Sequence, residues 1–222
     1  MKKVVLSAAG VQSYKPRLFD SASAYALLDK IQTKYHFKSA PTFEQLSQNQ
    51  LGPFNFIYGT FPIGDRTVVI EQFVVTYIGV TTTSVGASTK TDTDDVDRFL
   101  SEVETIAREC AVDTTKINPD YHQSTLEVVF DKAISGHFDQ LGRVIERLTG
   151  MVRGYGFDWC PEFELSGFSL QVDSTGGKLP YIQPFTIERR AGTPFNQKKY
   201  FSQAPLRTAD HEALLKELES LL

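Results

Sequence analysis

Three features of the chain predict an α+β fold, with a mixed β-sheet of about five to six strands and about four helices packed mainly on one face. The first is the run Thr67 to Thr83, TVVIEQFVVTYIGVTTT, almost wholly β-branched or aromatic. Together with the segment before it, this run makes residues 54–80 a long central hairpin. The second is a set of apolar stripes at three- and four-residue spacing, the mark of amphipathic helices. The third is the order in which helices and strands alternate after an early hairpin. One domain, 1–222, accounts for that order, with an alternative split near 112–121, where Val112 to Asp120 is polar and holds Pro119.

Taken from the N-terminus, Lys2 to Leu6 is β-prone and predicts an edge strand, followed by an extended loop from Gln12 to Phe19. Asp20 or Ser21 can cap a helix whose face is Ala24, Leu28, Ile31 and Tyr35. Residues 41–50 are polar enough for a single helical turn. Phe54, Phe56 and Tyr58 alternate with polar or small residues, as in a half-buried strand, and residues 62–66 supply the turn into the central run. In that run even and odd positions are both mostly apolar, which predicts a strand buried on two faces and bent at Gly79.

Thr81 to Thr91 is rich in Thr, Ser and Gly and predicts a loop or a fraying strand end. The helix after it carries Val96, Phe99, Leu100, Val103, Ile106, Ala107 and Cys110. Thr91 or Thr93 is its expected cap, with Asp92, Asp94 and Asp95 at its positive end. Leu126, Val128 and Phe130 mark another strand. Phe138, Leu141, Val144, Ile145, Leu148, Met151 and Val152 form one face of a third helix, stopped by Gly154 and Gly156.

The phase of the apolar residues then changes between Leu165 and Phe168, which predicts a β-bulge at Ser166-Gly167. A turn at 174–180 and a last strand through Phe185, Ile187 and Arg189 come next. The terminal helix, capped by Thr208 or Asp210, carries Leu214, Leu215, Leu218, Leu221 and Leu222. No internal repeat is evident.

Composition sets limits on function. Hydrophobic residues at 41% and charged residues at 23% are ordinary for a soluble globular chain. The net charge of -4 argues against bulk attraction to nucleic acid or acidic membrane. Cys110 and Cys160 lack metal-ligand or redox spacing, which fits reduced thiols in the cytoplasm. The start, MKKVVLSAAGV, has a short apolar run but no clear cleavage site, and polar Gln12-Ser13-Tyr14 comes directly after it. No stretch has the length of a membrane span.

Catalytic and cofactor motifs fail on spacing, so no catalytic residue, metal ligand or cofactor is assigned. Asp92, Asp94, Asp95 and Asp97 could suggest a divalent metal and a metal-dependent hydrolase, but the glycine and terminal glutamate of a calcium loop are missing. A solvated helix N-terminus explains the same acids. His36, His122, His137 and His211 are scattered, although folding could set His122 beside Glu127 or Asp131. Gly176-Gly177-Lys178 and Gly154-Tyr155-Gly156 match neither a phosphate loop nor a dinucleotide fingerprint.

The most distinctive chemistry lies in residues 181–207, which carry a net +4 and leave -8 for the remainder. There Arg189, Arg190, Lys198, Lys199 and Arg207 are interleaved with Tyr181, Phe185, Phe195, Tyr200 and Phe201. Arginines and rings in this mixture suit a protein interface. They also suit single-stranded nucleic acid, with phosphates on the cations and bases on the rings, or simply a loop anchored by its aromatics. The sequence-level expectation is a non-enzymatic interaction or assembly protein, associating with a protein partner or itself through 181–222. Single-strand binding through Arg189, Arg190, Phe195, Lys198, Lys199, Tyr200, Phe201 and Arg207 is the alternative.

Overall fold

The computed structural model describes residues 1–15, 21–42, 44–45, 53–78, 82–134, 139–156, 163–172 and 182–221. Gly79, the 174–180 turn, His137, Phe138, Cys160, Tyr181 and Leu222 lie outside them. The order is β1 (Lys2–Tyr14), α1 (Ser21–Tyr35), β2 (Phe54–Ile63), β3 (Arg66–Ile78), β4 (Thr82–Thr89), α2 (Thr93–Glu109), β5 (Tyr121–Val129), α3 (Asp139–Gly154), β6 (Gly167–Leu170), β7 (Phe185–Arg189), β8 (Lys199–Ala204) and α4 (Thr208–Leu221). The fold is α+β with four helices among the described residues. Its sheet has eight strands rather than five to six, and the described pairs are antiparallel rather than mixed.

Two compact units divide the chain. The larger holds Val5–Thr125 and Pro205–Ala209; the smaller holds Met1–Val4, Leu126–Ala204 and Asp210–Leu222. Strands run β2-β3-β4-β1-β5 in the larger and β1-β5-β8-β7-β6 in the smaller, β1 and β5 giving residues to both.

In the larger unit the Phe54–Ile78 hairpin is present, turned at Gly64, whose φ of +56° favours glycine. The central run is not one strand to Thr83, because β3 ends at Ile78 and β4 returns antiparallel, Val74 opposite Gly86. Nor is β3 buried on two faces. Its register shifts between Ile70 and Gln72, so Val68 and Ile70 before the shift and Phe73 and Val75 after it all turn inward. Val69 on the other face is 49% exposed. One extra residue had mimicked two apolar faces.

β2 changes phase opposite this bulge. Phe54 and Phe56 are buried, Tyr58 takes φ +55° and points outward under the Lys38 ammonium, and Phe61 is buried again. Tyr58 therefore leaves the alternation expected of it.

Thr82–Thr89 is a strand, not a loop, because β3 and β1 pair with it on either side and backbone bonding outweighs its weak propensity. β1 is correspondingly interior, not an edge, and continues through Gln12 to Tyr14 where a loop was expected. Leu27, Leu28, Ile31 and Tyr35 of α1 and Val96, Phe99, Leu100 and Val103 of α2 close the core. The α2 cap is Asp92, whose carboxylate accepts from Asp95 N at 2.9 Å, rather than Thr91 or Thr93.

The smaller unit differs more from expectation. Strand β6 starts at Gly167 with no bulge; a Cβ there would strike the Ile187 carbonyl oxygen, so glycine serves close strand approach. Phe163 and Leu165 precede the strand. β7 is not the last strand, since β8 pairs with it from Thr186–Gln203 to Arg189–Tyr200. On α4, Leu215 is buried while Leu214 and Leu221 face outward.

The chain repeats itself, although its sequence shows no repeat. Strand, helix, three-strand meander and helix occur as β1-α1-β2-β3-β4-α2 and again as β5-α3-β6-β7-β8-α4. In both, the first strand is placed next to the last strand of its meander. The halves share one local signature. Thr93-Asp94-Asp95 and Thr208-Ala209-Asp210 each begin four residues after a strand, and Leu100 and Leu215, seven residues on, are both buried.

A side chain at Gly59 has no room, for a Cβ would lie 2.5 Å from the buried Phe37 ring. Gly59→Ala is expected to lower the unfolding free energy by about 2 kcal/mol. Urea denaturation followed by far-UV circular dichroism measures this; a variant as stable as wild type would refute the packing.

Candidate functional site

Seven of the eight residues singled out by sequence meet on the β7–β8 hairpin. The connection contains a 3-10 turn, Phe195–Gln197, entered from Pro194 and ended by Lys198 at φ +48°. Arg190 N donates to Lys199 O at 2.8 Å, which holds the two ends together. The Arg189 guanidinium lies 3.4 Å from the Phe195 ring centroid and donates to the Thr193 carbonyl. Phe195 stays 37% exposed, so this stack faces solvent in part. Phe201 is half-buried.

The cations beside it are largely engaged. Glu127 accepts Lys199 Nζ at 2.8 Å and has Arg190 Nε at 3.4 Å, while Lys198 donates to the Asp131 carbonyl. Tyr200 is a core residue, 4% exposed, its ring 5.4 Å from Phe130 and its hydroxyl accepting from Ile134 N at 3.2 Å. Arg207 belongs to the larger unit, 2.6 Å from Asp97 and 3.3 Å from Asp94.

A second surface was not distinguishable from core in the sequence. On α3, Val144, Leu148 and Met151 are 60%, 42% and 49% exposed, although their spacing is that of a buried stripe. Thr149, on another side of the helix, is buried, and its hydroxyl accepts from Phe163 N at 3.2 Å. Periodicity identifies an amphipathic helix but does not say which stripe meets the domain.

The acidic residues each have partners of their own. Asp92 caps α2, Asp95 is 1% exposed and held by Arg66 at 2.6 Å, and Asp97 takes His122 at 2.8 Å in addition to Arg207. His122 thus meets Asp97, rather than Glu127 or Asp131. Among the described residues no three His, Cys, Asp or Glu side chains group to hold a metal ion. His211 is fully buried: its Nε2 lies 2.9 Å from Ser202 Oγ, and the Phe185 ring meets it edge-on. Ser202 Oγ also bonds the Thr186 carbonyl, so the contact ties β7, β8 and α4 together.

Among the described residues no helix is long and apolar enough to cross a membrane. No protein-family model matches the chain, and no curated protein matches its sequence.

Burial pushes His211 down from 6.5 to about 4, keeping the imidazole neutral in the fold. The unfolded chain therefore binds a proton that the folded chain refuses between those values. Stability from this group is complete above about pH 6.5 and is lost as pH falls towards 4, by about 3 kcal/mol in all. Urea midpoints across that range should show the loss, and His211→Gln should flatten it. Equal slopes in the two proteins would exclude His211 as the source.

Proposed function

We propose that the protein is a non-catalytic interaction protein of the cytoplasm that binds a protein partner, including a second copy of itself, through its smaller unit. One observation carries the reading. Among the described residues, twelve of the sixteen exposed large hydrophobic side chains belong to that unit. Exposed apolar side chains gathered in one part of a molecule are a mark of association. Val144, Leu148 and Met151 supply an apolar stripe, and the Arg189–Phe195 stack supplies the arginine–aromatic pairing typical of interface centres.

Single-strand nucleic-acid binding through the same hairpin remains the competing reading, supported by the Arg189–Phe195 stack as a platform for bases. The ion pairs favour a protein partner. Arg190 and Lys199 share Glu127, and Arg207 holds Asp94 and Asp97, so a phosphate backbone must displace carboxylates to reach them. Four free cations would produce a log–log salt slope of about -3 on single strands; engaged cations produce a flatter one.

Light scattering coupled to size-exclusion chromatography, across protein concentration, tests the self-associating form. Wild type is expected to assemble, and Leu148→Glu or Phe195→Ala to shift the midpoint by about tenfold in concentration with an unchanged far-UV spectrum. Variants that assemble like wild type would remove these residues from the interface.

A further inference from the structure

We infer that α3 joins two copies of the chain, the helices antiparallel, with Val144 of each copy against Tyr155 of the other and Leu148 against Met151. This rests on the association reading above and adds to it the occupant and the geometry.

Helix α3 carries two apolar stripes, and its own unit covers only one. Gly142, Ile145, Thr149 and Val152 recur at three- and four-residue spacing; Thr149 is buried and the other three are half-buried. Val144, Leu148, Met151 and Tyr155 recur at steps of four, three and four, and all are exposed, Tyr155 at 73%. Tyr155 continues the last turn, its N donating to Met151 O at 3.2 Å. Alternate steps of four and three are the a and d positions of a heptad, the seam along which two helices pack. A helix that meets only its own domain needs one stripe, not two. Being docked already, α3 avoids the ordering cost that makes so short a seam unstable between free peptides.

Self-pairing follows from how the seam changes along its length. Its side chains grow from Val144 at the start to Tyr155 at the end. An antiparallel pair centred between Leu148 and Met151 sets the smallest against the largest, so every level of the seam is filled alike. A parallel pair sets Val144 on Val144 and Tyr155 on Tyr155, leaving a gap at one end and crowding the other.

Charge runs the same way. Arg143 and Arg147 are exposed in the first half, and Arg147 and Gly154, seven residues apart, flank the seam on one side. Antiparallel packing brings each Arg147 level with Gly154 of the other copy, beside the carbonyl end of that helix, where a cation is favoured. Parallel packing gathers the arginines of both copies at one end. Gly154 has no other reason within the chain. Its φ is not positive and a Cβ there meets nothing within 4 Å, although glycine is among the poorest helix formers. The space it leaves accepts the arginine of the other copy. An anionic lipid surface could take the same stripe, but three arginines against two acids over the helix give it little electrostatic pull.

Cysteine cross-linking reads the geometry. Val144→Cys and Tyr155→Cys are made separately in a Cys110→Ala, Cys160→Ala background and oxidised mildly before a non-reducing gel. In the antiparallel pair the two copies of residue 144, like the two of 155, lie about 16 Å apart along the axis, beyond the reach of a disulfide. Each variant alone is therefore expected to stay monomeric on the gel, and an equimolar mixture to give a disulfide dimer. Dimers from each variant alone would mean a parallel pair and overturn the inference. Wild type that assembles in light scattering while the mixture does not cross-link would overturn α3 pairing and leave the association reading standing. Wild type that stays monomeric at every concentration would remove both, and sedimentation with vesicles of equimolar phosphatidylcholine and phosphatidylserine would then assign the stripe to lipid. A charge pair tests the same contact without the cysteine-free background. Gly154→Arg should raise the concentration for half-assembly about tenfold by setting arginine on arginine, and Arg147→Glu in the same chain should restore it. Gly154→Arg that assembles like wild type, or no restoration, would overturn the packing.

Discussion

Phe99 is the contact on which the larger unit depends. It rises from α2 with no exposed surface and meets the rings of Tyr35, Phe61 and Phe73 edge-on, with centroids 4.9, 5.5 and 5.4 Å away. Those three rings belong to α1, β2 and β3, so one side chain joins two helices to the hairpin. Edge-on aromatic pairs contribute about 1 kcal/mol each beyond the area they bury. Phe37 extends the cluster towards Phe56 and Phe73 and lies over Gly59, where the absence of a side chain lets the ring approach the strand. The phase change in β2 and the bulge in β3 arise from the same requirement, since they keep Phe56, Phe61, Ile70 and Phe73 all facing this cluster.

Much of this was legible in the residues, but unevenly. The α2 stripe could be read because its Val96, Phe99, Leu100, Val103 and Ile106 face a sheet throughout, so periodicity and burial coincide. The hairpin was legible through the turn at Gly64-Asp65. Strand β4 was not, because Ser84, Gly86 and Ser88 carry loop propensity and their strand conformation comes from pairing with residues far away in the chain. The basic hairpin was found by composition, yet composition could not separate Tyr200, which packs inside, from Phe195, which does not. Nor could spacing alone reveal that the stripe of α3 faces outward, or that Ser202 would enclose His211.

The repeated strand–helix–meander–helix order is hidden in the sequence because corresponding strands differ in length. Strands β2 and β3 have 10 and 13 residues, whereas β6 and β7 have 4 and 5. The likeness survives at the helix starts. Thr93 N donates to Thr208 Oγ1 at 3.1 Å and Thr208 N donates to Thr93 Oγ1 at 3.0 Å, both residues buried. Each threonine thus satisfies an amide that the other's helix leaves unbonded. Both residues belong to the larger unit, where the exchange joins the start of α2 to the start of α4.

The place of β1 has a consequence for how the chain is made. Ala8 pairs with Thr89, so during synthesis β1 waits for a partner made roughly eighty residues later. Non-local pairing of this kind is slow and leaves an open strand edge during synthesis. The composition of the waiting segment lessens that hazard. Ser7, Ala8, Ala9 and Gly10 offer little apolar surface, and Gln12 and Ser13 set Val11 apart from Tyr14. This half of the strand therefore has few means of adhering to other nascent chains before β4 arrives, and Lys2 and Lys3 place charge beside the apolar Val4, Val5 and Leu6 of the other half.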